Sequence, residues 1–273
     1  MMNLRGKRAL VTGASRGVGS AIACALAADG VEVAVAARTT SQAPSAIPGT
    51  LDDVVSRIEG LGQRAVAIPT DLSDEDQVVA MVETATKELG GLDIVVNNAA
   101  VASPGDLDID RKRFLLLMSI NARAPMVVIH EAIPHLKAAG GGRIINISSA
   151  AASYAIEGLM AYGMSKLALE HLTVAAARQL EGASIAVNCF RIDIGTASEG
   201  MVFRGNASPA DWEPTEVAAE GVLWMLGQPL NYTGRLVSMA TLREREGIMT
   251  TRASAPTKPP PGTPIFPGLE SSW

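Results

Sequence analysis

Short, almost wholly apolar runs alternate along this chain with longer stretches whose apolar residues recur at three- to four-residue spacing. Arg8–Thr12 (RALVT), Val31–Ala36 (VEVAVA), Ala65–Pro69 (AVAIP), Asp93–Val96 (DIVV), Arg143–Ile147 (RIINI) and Ser184–Cys189 (SIAVNC) have strand length. They lack in–out alternation, which predicts strands covered on both faces. Between them, Val18–Ala28, Leu51–Leu61, Asp74–Leu89, Arg111–Lys137 and Leu159–Leu180 carry helical spacing. A further helix near Pro214–Leu226 leads to a seventh strand near Gly234–Met239. Such alternation joins parallel strands through right-handed crossovers. The expected architecture is α/β: one doubly wound domain over residues 1–249, with a seven-stranded parallel sheet of order 3-2-1-4-5-6-7 and helices on both faces.

Two segments break the rhythm. Thr39–Thr50 (TTSQAPSAIPGT) holds two prolines and no periodicity, so it reads as a loop inserted after the second strand. Residues 250–273 hold six prolines and read as an extended C-terminal tail. Phe266, Leu269 and Trp273 argue against a purely solvated tail.

Composition narrows the function classes. The 273 residues are 48% hydrophobic, enough for one large core. A net charge of −5 without a basic stripe argues against a nucleic-acid partner. Cys24 and Cys189 are the only cysteines and suggest thiols in a reducing compartment. His130 and His135 are five apart, off the spacing that aligns two ligands on a helix, and no metal site is expected. The first residues run into a strand without a leader pattern, and no apolar run is read as a membrane span. A soluble, cytoplasmic protein with no membrane partner is expected.

The chemistry begins at Thr12-Gly13-Ala14-Ser15-Arg16-Gly17-Val18-Gly19, between the first strand and the first helix. Gly13 permits a tight turn, Gly17 lets a pyrophosphate approach the backbone, and Gly19 lets helix and strand pack closely. The helix N-terminus supplies N–H groups and partial positive charge. The spacing Gly-x3-Gly-x-Gly resembles the TGxxxGxG signature of the short-chain dehydrogenase/reductase family, whose domain is a Rossmann fold. At the end of the second strand, where an NAD(H) enzyme usually places a carboxylate for the ribose 2′-OH, stand Ala37 and Arg38. Arg38, with Arg16 and Thr39 as helpers, would pair a 2′-phosphate, so NADP(H) is expected ahead of NAD(H). A solvated strand end is the alternative for Arg38.

The resemblance runs over residues 4–240. It implies that Asp71 and Leu72 contact adenine, and that Asn98, Ala99 and Ala100, in an Asn-Asn-Ala-Ala version of the family's NNAG, line the cofactor. Tyr162-Gly-Met-Ser-Lys166 matches its YxxxK, with both side chains on one helix face. A neighbouring ammonium and the positive nicotinamide are expected to favour the phenolate of Tyr162, the acid/base. Ser149 lies thirteen residues before Tyr162, at the end of the fifth strand, and would hydrogen-bond the reacting oxygen, while Ser148 faces the other way. Asn121 matches the family's asparagine, which holds a water linking the lysine to solvent; a satisfied helix kink is the alternative. The resemblance thus makes Asn121, Ser149, Tyr162 and Lys166 the catalytic set.

One departure stands out. The family's Asn-x3-Pro-Gly, which cradles the nicotinamide amide, is here Asn188-Cys-Phe-Arg-Ile192-Asp193, which leaves Ile194 and Thr196 as the nearest nicotinamide contacts. Together with the loop after Arg38, this is similar to a hydroxysteroid-dehydrogenase-like branch. The expected activity is hydride transfer between NADP(H) and an alcohol or ketone carbon of a small organic substrate. A cofactor-sensing regulator, a sugar epimerase and a reductase of β-ketoacyl carrier protein are the competing readings. Residues 196–211, rich in Gly, Ala and Ser, form the expected specificity loop. Surplus apolar positions on Arg111–Lys137 and Leu159–Leu180 suggest an interface, which in the family forms a homodimer, commonly doubled to a homotetramer.

Overall fold

Strands with no polar face must be covered twice, and the sheet shows how. The computed structural model describes residues 3–203, 205, 210–253 and 263–265. Its strands are β1 (Arg8–Thr12), β2 (Glu32–Ala37), β3 (Ala65–Pro69), β4 (Ile94–Asn97), β5 (Gly142–Ser149), β6 (Tyr154–Ala155), β7 (Ile185–Ile192), β8 (Leu236–Ser238) and β9 (Thr263–Pro264). Seven of them form one sheet of order β3-β2-β1-β4-β5-β7-β8, and every pairing in it is parallel. The expected count and order hold. The two-residue β6 stands apart and pairs antiparallel with β9.

The helices are α1 (Gly17–Ala28), α2 (Leu51–Gly60), α3 (Glu75–Leu89), α4 (Arg111–Met118), α5 (Ala124–Ala138), α6 (Met160–Leu180), α7 (Glu199–Phe203), α8 (Thr215–Leu226) and α9 (Met239–Glu246). Successive strand residues divide between two cores. Val11, Val35, Val96 and Ile147 pack with side chains of α1, α2, α8 and α9. Leu10, Ala34, Val95 and Ile144 pack with those of α3, α5 and α6. Full burial of each large apolar side chain is worth roughly 1.5–3 kcal/mol, which explains why the strand interiors tolerate almost nothing polar.

Local chemistry sets the starts of four helices. Thr50 and Asp53 form a reciprocal capping box at α2, while Asp74, Asp110 and Ser238 cap α3, α4 and α9. The stretch expected as one helix over Arg111–Lys137 is instead interrupted by a π turn at Ser119–Arg123, with the Ala124 N–H bonded to the Ser119 carbonyl. Pro125, in the first turn of α5, has no N–H to continue the regular ladder, so the helix takes up an extra residue just before it. Residues 111–138 do reach the length and hydropathy of a membrane-crossing helix, a point the sequence reading missed. Here α5 packs against α3, β4 and β5, which accounts for its apolar content.

Two short helices follow β7 and β8: α7 lies within the expected specificity loop, and α9 lies where no element was assigned. Of the tail, residues 263–265 are described alongside 250–253; β9 pairs with β6, and the Ile265 N–H reaches the Ser153 carbonyl at 2.8 Å. Phe266, Leu269 and Trp273 lie outside the described residues.

Candidate active site

Parallel strands deliver their carboxyl ends to one edge of the sheet, and the residues singled out by sequence gather there. Where β1 turns into α1, Gly13 and Gly17 adopt φ of +66° and +60°, in the left-handed region that other residues avoid. A Cβ on Gly19 would come within 2.4 Å of the Gly13 carbonyl and the Asn98 amide. Thr12 and Asn98 stitch this turn to the end of β4: the Asn98 and Ala99 N–H groups both donate to Thr12 Oγ1 at 3.1 Å, and Asn98 Nδ2 donates to the Thr12 carbonyl at 2.9 Å. Ser15 is buried, Val18 is half-buried in the first turn of α1, and Ala100 is exposed beyond Ala99.

Unlike α2, α3, α4 and α9, helix α1 has no side-chain cap, and like α4 and α9 it has no acid in its first turn. Its Gly17 N–H donates instead to Glu199 Oε2, at 2.7 Å, from the distant α7. The residue at the cap position, Arg16, points its guanidinium at the inserted loop. Nε donates to the Pro48 carbonyl, and Nη2 donates to Ser45 Oγ and the Gly49 carbonyl, at 2.8–2.9 Å. Burial lowers the Arg16 pKa, Glu199 opposes that, and the positive charge of Arg38 adds to the lowering. Two guanidinium groups therefore share the end of β2. Arg38 is exposed; Thr39 is buried, and its carbonyl accepts the Leu51 N–H. The nearby Asp71 gives Oδ1 to both the N–H and the hydroxyl of Ser73. Burial acts to raise its pKa, but the Ser73 bonds and Arg38 hold it below the usual carboxylate value. Leu72 beside it is buried.

Ser149, Tyr162 and Lys166 converge at the end of β5. The Ser149 hydroxyl lies close enough to the Tyr162 phenol to favour its ionised form. Ser148 faces the opposite way and donates to Glu170 Oε1 at 2.7 Å, as strand geometry requires. Lys166 is only 2% exposed; its Nζ lies 5.8 Å from the centre of the Tyr162 ring and donates to the Ile147 carbonyl at 2.8 Å. Burial drives the Lys166 pKa down to about 8, with Cys189 and Glu170 opposing. For Tyr162, burial raises the pKa and the Ser149 side chain only partly offsets it. Burial thus penalises the charged form of both groups in the chain by itself.

Asn121 sits inside the π turn, and its side chain is fully used. Oδ1 accepts the Val101 N–H at 2.9 Å, while Nδ2 donates to the Val101 carbonyl and to Ser165 Oγ. It clamps the loop after β4 against α6, one residue from Lys166. Ile194 and Thr196 are buried beyond β7, with Thr196 Oγ1 donating to the Ile194 carbonyl and Thr196 bridged to Glu213. In place of the Pro-Gly pair, Asp193 accepts the Ala240 N–H at 3.1 Å; its burial raises the carboxyl pKa against bonds from Ser238 and Ala240.

The match to a family model covers residues 7–197 and is to the short chain dehydrogenases. This chain belongs to that family. The hydroxysteroid dehydrogenase-like protein 2 of Xenopus tropicalis is 33% identical over 269 residues, and the alignment covers 97% of this chain but only 63% of that protein. A short chain dehydrogenase from Burkholderia cenocepacia J2315, solved in complex with NADP, is 32% identical with a TM-score of 0.75, over 86% of this chain and 97% of that one. One from Mycobacterium paratuberculosis, bound to NAD, is 29% identical with the same TM-score of 0.75 and the same coverage, 86% and 97%.

The turn fits a dinucleotide. An anionic oxygen already sits on the Gly17 N–H, and the missing side-chain cap leaves the helix terminus to a ligand phosphate. The enzyme also contains a network that the sequence reading overlooked. Glu170 accepts from Ser148 and, at 2.9 and 2.7 Å, from Nε and Nη2 of Arg191. The signals were present: a glutamate one turn after Lys166 on an apolar helix, and an arginine inside an apolar strand. Glu199 gave no such signal, because it stands in a stretch of small residues without periodicity. The Glu170 and Arg191 side chains are 5% and 11% exposed, so Glu170→Gln leaves a guanidinium buried without its counter-charge. We expect a loss of about 3–5 kcal/mol of stability, read from urea unfolding midpoints.

Proposed function

We propose that this enzyme uses NADP(H) to interconvert a ketone and an alcohol on a small organic substrate, with Tyr162 as the acid/base. The observation that carries the reading is the buried Lys166 amine 5.8 Å from the centre of the Tyr162 ring, with the Ser149 hydroxyl acting on the same phenol. When bound, the nicotinamide dinucleotide supplies or accepts the hydride. Ser149 donates a hydrogen bond to the substrate oxygen and fixes it beside Tyr162. Raised above the ordinary value by burial, the phenol is neutral at pH 7 and can hand its proton to a carbonyl oxygen as that oxygen gains charge. Lys166 holds the ribose next to the nicotinamide, and Asn121, whose side chain is committed to Val101 and Ser165, would hold through its backbone the water by which the lysine communicates with solvent.

Gly13, Ser15, Gly17, Val18 and Gly19 line the pyrophosphate. Asp71 and Leu72 flank adenine; Asn98, Ala99 and Ala100 lie along the inner ribose, and Ile194 and Thr196 face the nicotinamide. NADP(H) is preferred over NAD(H) because Arg38 and Arg16 meet at the end of β2, and Asp71 beside Arg38 is committed to Ser73. The catalytic domain spans residues 1–249, with 250–273 as a tail. We assign the protein to the cytoplasm as a homodimer or homotetramer. Leu115, Leu116, Met126, Met164 and Val174 are exposed on α4, α5 and α6, and a second copy would cover them. Light scattering at micromolar concentration should give at least twice the 28.3 kDa chain mass; a monomer would remove that assignment.

Replacing Ala37 by Asp together with Arg38→Ala should reverse the ratio of NADPH to NADH dissociation constants. Equal affinities in the unaltered enzyme would refute the 2′-phosphate argument. Tyr162→Phe should lower turnover by about 10²–10⁴-fold and leave NADPH affinity nearly unchanged. Lys166→Ala should weaken both. In the unaltered enzyme NADPH binding should weaken as pH rises through about 8, where the Lys166 ammonium is lost, and Lys166→Ala should flatten that limb. Near-normal turnover by Tyr162→Phe on a verified substrate would sink the acid/base assignment.

A further inference from the structure

The anionic group on the first turn of α1 comes from far along the chain. Glu199 Oε2 accepts the Gly17 N–H at 2.7 Å across 182 residues. Its carboxylate also acts on the guanidinium of Arg16, the residue at the cap position. Its neighbour Ser198 lies against the same turn, with Cβ 3.2 Å from where a side chain on Gly17 would begin. A carboxylate here satisfies a helix N-terminus in the way a phosphate does, by accepting N–H bonds and meeting the positive end of the dipole.

The segment that carries Glu199 is fixed at its root and lightly held at its tip. At the root, Thr196 is buried and bridged to Glu213, and the Ala197 N–H donates to the Glu213 carbonyl at 2.8 Å. Glu213 is fully buried and anchored by Arg243, Thr251 and Arg252. At the tip, none of the five residues of α7 is buried, and Phe203 is 57% exposed. An element without buried apolar contacts opens at little cost. What keeps α7 on the glycine turn is therefore chiefly the Glu199 carboxylate.

We propose that Glu199 is a built-in occupant of the pyrophosphate seat, which the dinucleotide must displace, lifting α7, in order to bind. The proposal rests on reading this turn as the cofactor site. Two anionic groups cannot share the Gly17 N–H, so the closed arrangement lowers cofactor affinity by the fraction of molecules that hold it. The competition is with the diphosphate, which NADP(H) and NAD(H) share. Glu199 thus sets affinity for both without choosing between them, in contrast to Arg38.

The test uses the full chain, with NADPH and NADH dissociation constants measured by nicotinamide fluorescence for the unaltered protein, Glu199→Gln and Glu199→Ala. Glu199→Ala should bind both dinucleotides about tenfold tighter, the scale of one charge-assisted bond at a helix terminus. Glu199→Gln, which keeps an acceptor but no charge, should fall between. Without cofactor, the Gly17 amide should exchange with deuterium faster in Glu199→Ala than in the unaltered protein. Saturating NADPH should protect it in both. Equal constants across the three proteins, or weaker binding by Glu199→Ala, overturn the proposal and leave the dehydrogenase reading standing. If none of the three binds either dinucleotide, the reading of the turn fails and the proposal fails with it.

Discussion

Parallel pairing with burial on both faces is the constraint from which the rest of this structure follows. Because the strands run the same way, their carboxyl ends meet on one edge, and each crossover helix begins there with unpaired N–H groups. Thr12, Arg38, Asn98, Ser149 and Asp193 all lie at or just beyond strand ends on that edge. The interior of the sheet is then largely apolar, and the buried Asn97, Asn146 and Asn188 in it are hydrogen-bonded. Chemistry is confined to the rim, where side chains reach solvent on one side and a dry core on the other.

That dry core sets the electrostatics of the site. Lys166 is enclosed beneath Tyr162, so desolvation brings its amine close to neutral pH, and the same enclosure keeps the phenol protonated. Glu170 and Arg191 carry opposite charges through the neighbouring region as a paired unit, tied to β5 through Ser148. The pair joins α6, β5 and β7, the elements that hold Lys166 and Ser149 in register. A buried pair of this kind contributes little net stability, yet neither partner can be removed without leaving a charge in the core.

The rim is also where regular structure is broken. Pro125 withholds an N–H, the helix yields a π turn, and Asn121 lies within it with its amide clamped to Val101 and Ser165. Gly13 and Gly17 bend the chain through left-handed angles so that α1 can begin directly below β1. The inserted loop after β2 folds back to grip Arg16. Each irregularity lies next to a residue assigned to the cofactor or the substrate oxygen, and nowhere in the strand interiors.

Periodicity alone determined the number of sheet strands, their order and most element boundaries, because burial on two faces writes itself directly into the sequence. Motif spacing determined which residues stand at the rim: Tyr162 and Lys166 one turn apart, Ser149 facing them and Ser148 facing away. Tertiary structure decided what local patterns cannot encode. It chose the partners of Glu170 and Arg191, separated by 21 residues, and those of Glu199 and Gly17, separated by 182. It set the burial that raises the Tyr162 pKa in the chain by itself, since desolvation depends on every chain segment packed around a group. Secondary structure arises from near neighbours and is legible one window at a time, whereas charge pairing and desolvation depend on distances that exist only once the chain has folded.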